Sequence, residues 1–242
     1  MNEVKTHYST HLAAHYSWML GERETQIEAF SDLLTRRGLD KGKGQTAWDL
    51  GAGTGLQSLA LARKGYQVHA LDFSAEMLAQ MGPEADQWGI QRHQADLTDS
   101  QSYALPSADL LVCMQDTLLH LPALSDLETL FHQGYAQSQP EAAFLLSFRD
   151  LSQALSGKDR FILLRAEADR ILSCFLEYLP DQVMIHDIIQ TREKAGWEQR
   201  IHAYPKLRAG WEDIQPLWEK AGWQSQWQEK RRGMWYVHLR KG

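Results

Sequence analysis

A chain of 242 residues, 43% apolar and 23% charged, can bury a full core as one domain spanning residues 1–242, or as one domain with a modest insertion. No apolar run is long enough to span a bilayer and the start, Met1-Asn2-Glu3-Val4-Lys5, lacks a signal-peptide core, so no membrane association and a cytoplasmic location are expected. The net charge of −6 repels phosphate backbones, and no nucleic-acid partner is expected, because the one dense basic run, Lys230-Arg231-Arg232, reads as a solvated hairpin tip.

In chain order, Tyr8, Leu12, Tyr16 and Met19 recur at helical spacing, and after Gly21 a second run carries Ile27, Phe30, Leu33 and Leu34 before Gly38. Two amphipathic helices therefore precede the flexible lead Lys41-Gly42-Lys43-Gly44. His7, His11 and His15 fall one helical turn apart, but no neighbouring Cys or carboxylate completes a ligand set, so they read as solvated and no metal is assigned. Thr46 to Leu50 is an apolar strand that runs into Gly51-Ala52-Gly53-Thr54-Gly55, then a helix ending at Gly65. The alternating glycines imply that something must come close to the turn. Gln67 to Asp72 is the second strand, and an acid about 20 positions after such a turn is the arrangement in which a carboxylate takes ribose hydroxyls. Cys113 and Cys174 read as reduced core residues.

The spacing is GxGxG. The runs Asp49 to Gly55, Leu71-Asp72-Phe73-Ser74, Gln94-Ala95-Asp96-Leu97 and Ala108 to Met114 together resemble the class I S-adenosylmethionine-dependent methyltransferases over roughly residues 45 to 150. The resemblance implies a Rossmann-like α/β fold: a doubly wound seven-stranded sheet with N-terminal helices and a small antiparallel β insertion. It implies S-adenosyl-L-methionine as cofactor, S-adenosyl-L-homocysteine as product, and Asp49, Gly51, Gly53, Asp72, Phe73, Met77, Asp96, Leu97, Met114 and Gln115 as cofactor contacts. Asp96 would accept from the adenine amino group, a use that suits an acceptor-only carboxylate; without the resemblance it simply opens a turn. The same resemblance makes residues 1–40 a helical lid, with Tyr8, Tyr16 and Trp18 as lid or substrate contacts, against the plainer reading of a core-facing stripe.

Ala75 to Met81 begins a helix that Gly82-Pro83 ends or kinks. Gln91 to Ala95 is a short third strand, and Ala108 to Met114 is apolar throughout, as a central parallel strand buried on both faces should be. The site is expected outside the carboxyl ends of these strands, on the loop Met114 to Leu121. Gln115, Asp116 and His120 are its polar candidates; as alternatives, Asp116 is a helix N-cap and His120 a surface residue before Pro122. Ser125-Asp126-Leu127-Glu128 reads as a capping box. Glu141 to Phe148 is the fifth strand, and Arg149 at its end either grips a substrate carboxylate or pairs with a neighbouring acid. Residues 159–206 are read as the insertion, with three strands, 171–179, 183–191 and 197–204, in a meander that offers Tyr178, His186, Tyr204 and Lys206 to a pocket. A helix over Trp211 to Lys220 and a hairpin of Trp223 to Gln228 and Met234 to Arg240 close the fold.

For methyl transfer the protein's task is to align nucleophile, carbon and sulfur, and orientation alone supplies about 7 to 11 kcal/mol. A hydroxyl acceptor would want a base such as His120 or His186, and His120, Asp116 and Tyr16 are the catalytic candidates, with Trp18, Arg149, Tyr178 and His186 toward substrate. Met114-Gln115-Asp116-Thr117 stands where the family's adenine and glutamine N-methylating members carry Asn/Asp-Pro-Pro-Tyr/Phe, which leaves N or O of a small-molecule acceptor as the leading target. A nicotinamide-dependent oxidoreductase is disfavoured by the glycine spacing, and a non-catalytic S-adenosylmethionine-binding regulator is the remaining alternative. The reading leaves room for a homodimer.

Overall fold

A computed structural model describes residues 18–19, 21–99 and 105–242. The first expected helix, with Tyr8, Tyr16 and the three histidines, therefore lies outside the described residues. Helix α1 (Arg23–Arg36) buries Ile27, Phe30, Leu33 and Leu34, the stripe that the spacing marks. There follow β1 (Thr46–Leu50), α2 (Leu56–Arg63), β2 (Gln67–Asp72), α3 (Ala75–Ala79), α4 (Gly82–Gln87), β3 (Gln91–Gln94), β4 (Ala108–Cys113), α5 (Leu124–Ala136) and β5 (Ser138–Arg149). After a second sheet, β6 (Phe161–Ala166), β7 (Arg170–Tyr178), β8 (Gln182–Glu193) and β9 (Gly196–Leu207), the chain returns through α6 (Trp211–Lys220) to β10 (Trp223–Arg231) and β11 (Met234–Lys241).

The main sheet has seven strands in the order β10-β11-β5-β4-β1-β2-β3. β1, β2, β3, β4 and β5 run parallel, and β11 is antiparallel to both β5 and β10. Alternation splits its side chains between two cores. Leu110 and Val112 of β4 face Ile27 and Leu34 of α1 and Leu59 and Ala60 of α2. Leu111 and Cys113 face Leu127 and Phe131 of α5 and Trp218 of α6. Strand order reverses between β1 and β4, and at such a switch point the carboxyl ends leave a crevice between diverging connections. The expected doubly wound, seven-stranded fold with an antiparallel annex is the one observed.

Three local expectations change. The helix begun at Ala75 breaks before Gly82-Pro83 as expected, but the proline then opens a second helix, α4, because it fits the first helical turn, where no N–H partner is needed. The N-cap of α5 is Ala123, whose N–H donates to the Asp126 carboxylate at 3.0 Å, so Ser125 already lies inside the helix. The second sheet has four strands, in the order β6-β7-β8-β9. β6 escapes notice because Phe161-Ile162-Leu163-Leu164 shows no alternation, and its register with β7 slips between Leu163 and Arg165. Among the described residues no helix is long and apolar enough to cross a membrane, and no cluster of three potential metal ligands occurs. Cys113 and Cys174 are buried, unbridged thiols.

His238 on β11 has its pKa pushed down to about 4, by burial first and then by Arg37 and Arg240. In the unfolded chain it titrates near about 6.5. The folded state therefore resists protonation that the unfolded state accepts, and stability is full above about pH 6.5 and lost progressively as pH falls towards 4. Thermal melts between pH 8 and 4 are expected to show this decline, and His238→Phe to flatten it; an unchanged slope would remove His238 as its source.

Candidate functional site

The end of β1 delivers the chain into a turn in which Gly51, Gly53 and Gly55 all have positive φ, +76°, +53° and +82°. The turn is pinned to β2, since the N–H groups of Gly51 and Ala52 both donate to the Leu71 carbonyl at 2.9 Å. The three glycines are glycine for different reasons. A Cβ at Gly51 would run into the Thr117 side chain, and one at Gly55 would stand 2.7 Å from Met81 Cγ, so the chain itself fills those spaces. At Gly53 the nearest atom would be Met77 Cε, at 3.6 Å. Its face is open.

Asp72 at the end of β2 is 8% exposed and accepts from the N–H of Gly53 and of Ser74, each at 2.9 Å. Burial pushes its pKa up against those bonds and a third from the Phe73 N–H. Ser74 caps α3 by accepting from Met77 N–H, which sets the buried Met77 under the turn. Ala95 N–H donates to the Asp72 carbonyl, so Asp96 and Leu97 follow beside it. Asp96 Oδ1 accepts from the Thr98 N–H at 3.0 Å and hydroxyl at 2.8 Å, while Leu97 is buried. Phe73 is partly buried, and its carbonyl accepts from Gln94 Nε2. Asp49 lies elsewhere. Only 1% exposed, it accepts from Ser58 Oγ of α2 at 2.6 Å, and burial, with Asp72 nearby, raises its pKa to about 7. It braces the turn from beneath.

Beyond β4, buried Met114 leads to Gln115, a non-glycine residue at φ +61° whose N–H donates to Ser147 Oγ of β5 at 2.5 Å. Gln115 borders a half-open cavity of about 430 Å³ between the strand ends and the inner face of the second sheet. That face is set by alternation: Cys174 and Leu176, Ile185 and Asp187, Tyr204 and Lys206 point inward. Asp116 crosses the cavity wall. Its Oδ2 accepts from Lys206 Nζ at 2.6 Å and Arg149 Nε at 3.2 Å, and its Oδ1 from the Arg149 N–H at 3.0 Å. Burial alone would raise this carboxyl's pKa, but Lys206 and Arg149 outweigh it and hold the pKa below the ordinary value. An acid so held is a tie between sheets and a poor proton acceptor. Asp116 does precede a 3-10 turn, Thr117–His120, yet its side chain makes no cap bond.

His120 lines the same cavity, its ring stacked on Tyr204 with centroids 5.7 Å apart. Arg149 lines it too, paired with a neighbouring acid as its blander use foresees. His186 does not: it sits on the opposite face of β8, 2.8 Å from Glu177. Tyr178 packs below the Arg208 guanidinium and does not line the cavity. Trp18 lies under Arg165 and Arg170 on the second sheet, and it is the next residue, Met19, that reaches the cavity. Tyr16 falls outside the described residues. Sequence reasoning missed Asp187 and Thr117. An acid in the stripe Val183, Ile185, Asp187, Ile189 was the available signal for the first; nothing local marks the second.

Residues 47–140 match a family model described as a methyltransferase domain. No curated protein sequence matches the chain. Among solved structures, an S-adenosylmethionine-dependent methyltransferase from Clostridium acetobutylicum is similar over 100% of this chain and 98% of its own, with TM-score 0.75 and 16% identity. An amino pentose methyltransferase from Micromonospora echinaspora covers 95% and 96%, with TM-score 0.72 and 16% identity. A sugar N-methyltransferase from Streptoalloteichus covers 92% and 89%, with TM-score 0.69 and 14% identity. At such identities the likeness is one of fold.

Proposed function

We propose that this chain, whose residues 47–140 match a methyltransferase-domain model, uses S-adenosylmethionine to methylate a nitrogen or oxygen of a small molecule. The observation that carries the reading is the open face of Gly53 with the Asp72 carboxylate bonded to its N–H, at the switch point of the sheet. That pair fits an adenosyl group: main chain free of side chains for close approach, and an acid with an acceptor position left for a ribose hydroxyl. Asp96 and Leu97 continue the crevice towards where an adenine would lie, and Met77 gives it an apolar floor. S-adenosylmethionine, when bound, supplies a methyl already activated on a sulfonium. The chain then has to hold an acceptor in line and keep water out. A cavity of about 430 Å³, bounded by Leu151, Leu176 and Ile185 with a few charged groups, is suited to a small molecule. His120 is the one imidazole lining the cavity among the described residues, a candidate to take the proton of a hydroxyl acceptor; an amine needs only to arrive neutral. Because two proteins of this fold act on an amino pentose and on a sugar nitrogen, amino sugars are the acceptors to offer first.

Calorimetry with S-adenosylmethionine tests the cofactor, and Gly53→Ala tests the site. A Cβ fits there, at the cost of about 1 kcal/mol for the left-handed backbone, so the variant should fold. It should nevertheless bind the cofactor at least about tenfold more weakly, since the added methyl occupies the open face. Wild-type affinity in Gly53→Ala, or no heat from the parent protein, would overturn the assignment.

A further inference from the structure

Gln115 borders a second cavity, of about 240 Å³, which Met114 also lines. It lies between α1 and the β10–β11 pair, and shares Gln26, Gln115 and Met234 with the larger one, so the two are arms of one space. Trp227 and Tyr236 give it aromatic walls, and Arg36 and Arg231 stand among its lining. Arg37 stacks on Trp227 with its guanidinium 4.3 Å from the ring centre. The plain account of Arg36 and Arg37 is that cations at the end of α1 complement the helix dipole. It does not account for the surroundings. Arg231 is paired with Glu229, but Arg36 makes no hydrogen bond or ion pair among the described residues, and Arg37 Nε is buried without a hydrogen-bond partner there. Three guanidiniums thus face one carboxylate, in a chain whose net charge is −6. The depressed pKa of nearby His238, to which Arg37 contributes after burial, registers the same positive field.

We propose that this arm binds an anionic group, a phosphate or carboxylate, between Arg36 and Arg231 against Trp227 and Tyr236. Guanidinium forks match such groups geometrically, and an aromatic wall excludes competing water. Next to Gln115, the anion belongs either to the acceptor or to the amino-acid end of S-adenosylmethionine, an attribution that rests on the proposed reaction. Anion binding itself does not.

The full chain titrated with inorganic pyrophosphate at constant ionic strength, followed by calorimetry, should show saturable binding. Arg36→Gln, on an exposed side chain, should weaken it about tenfold with no change in melting temperature, as loss of one charged hydrogen bond predicts. Glu229→Gln, which frees Arg231, should tighten it. Absence of saturable heat, or equal binding in all three proteins, overturns the proposal. S-adenosylmethionine affinity in Arg36→Gln separates the sources: unchanged, the anion is the acceptor's; weakened in parallel, it is the cofactor's carboxylate. Should wild type bind pyrophosphate but not S-adenosylmethionine, the anion site stands and the methyltransferase reading fails.

Discussion

Asp72→Ala is expected to weaken S-adenosylmethionine binding up to about 100-fold, the largest single effect on affinity in the crevice. An ionised carboxylate offers about four acceptor positions, and Asp72 already accepts from the N–H groups of Gly53, Ser74 and Phe73. The remaining position is the one available to a ribose hydroxyl. A hydrogen bond to a charged group contributes about 1.5 to 3 kcal/mol, so losing the ribose contact costs up to about two powers of ten. The variant also releases the Gly53 N–H and loosens the turn. Asp72→Asn separates these effects: it keeps volume and one acceptor oxygen, and should cost about tenfold by the same count. Calorimetry gives the affinities, and a melting curve without ligand shows whether the turn still holds. Since burial raises the Asp72 pKa, affinity should begin to fall at a higher pH than for an exposed aspartate as the solution is acidified. Near-normal binding by Asp72→Ala would mean that no ribose sits there.

The crevice was readable in the sequence because its constraints are local. A strand, a turn that requires positive φ and a strand-terminal acid lie within 46–72, and the hydrogen bond from Gly53 to Asp72 joins what that spacing brings together. What fills the turn was not readable. Thr117 over Gly51 and Met81 over Gly55 come from distant positions, and no spacing announces them. Asp49 belongs to the glycine motif by sequence but turns inward to Ser58, a choice made by the packing of α2. The acceptor cavity was legible only in part, because it is made by two sheets meeting. Strand alternation marks Tyr204 and Lys206 as inward once the register of β8 with β9 is known, and the same register turns His186 outward. A shift of one residue would exchange them.

Lys206→Met is expected to destabilise the fold by about 3 kcal/mol, the cost typical of stripping one partner from a buried ion pair. The side chains of Asp116 and Lys206 are only 13% and 10% exposed, whereas Arg149, the remaining partner, is 48% exposed and so screened. Two features separate this charge effect from mere loss of packing. Asp116→Asn placed on top of Lys206→Met removes the stranded charge, so the double variant should melt above Lys206→Met alone; additive losses would deny the coupling. The pH dependence should move as well. A carboxyl held below its ordinary pKa contributes stability that is present above about pH 4 and lost as pH falls through the lowered value. Without Lys206, burial is opposed by Arg149 alone, so the Asp116 pKa should rise and the acid loss should shrink, or reverse into a gain of stability on acidification. Asp116 sits between Gln115, which borders both cavities, and Thr117, which packs on Gly51. Loosening it should therefore lower kcat more than it weakens S-adenosylmethionine binding, because the loop that faces the acceptor shifts while the Asp72 crevice, held by β2 and α3, does not. If kcat survives and affinity alone falls, the tie serves the cofactor side and not the alignment of the acceptor.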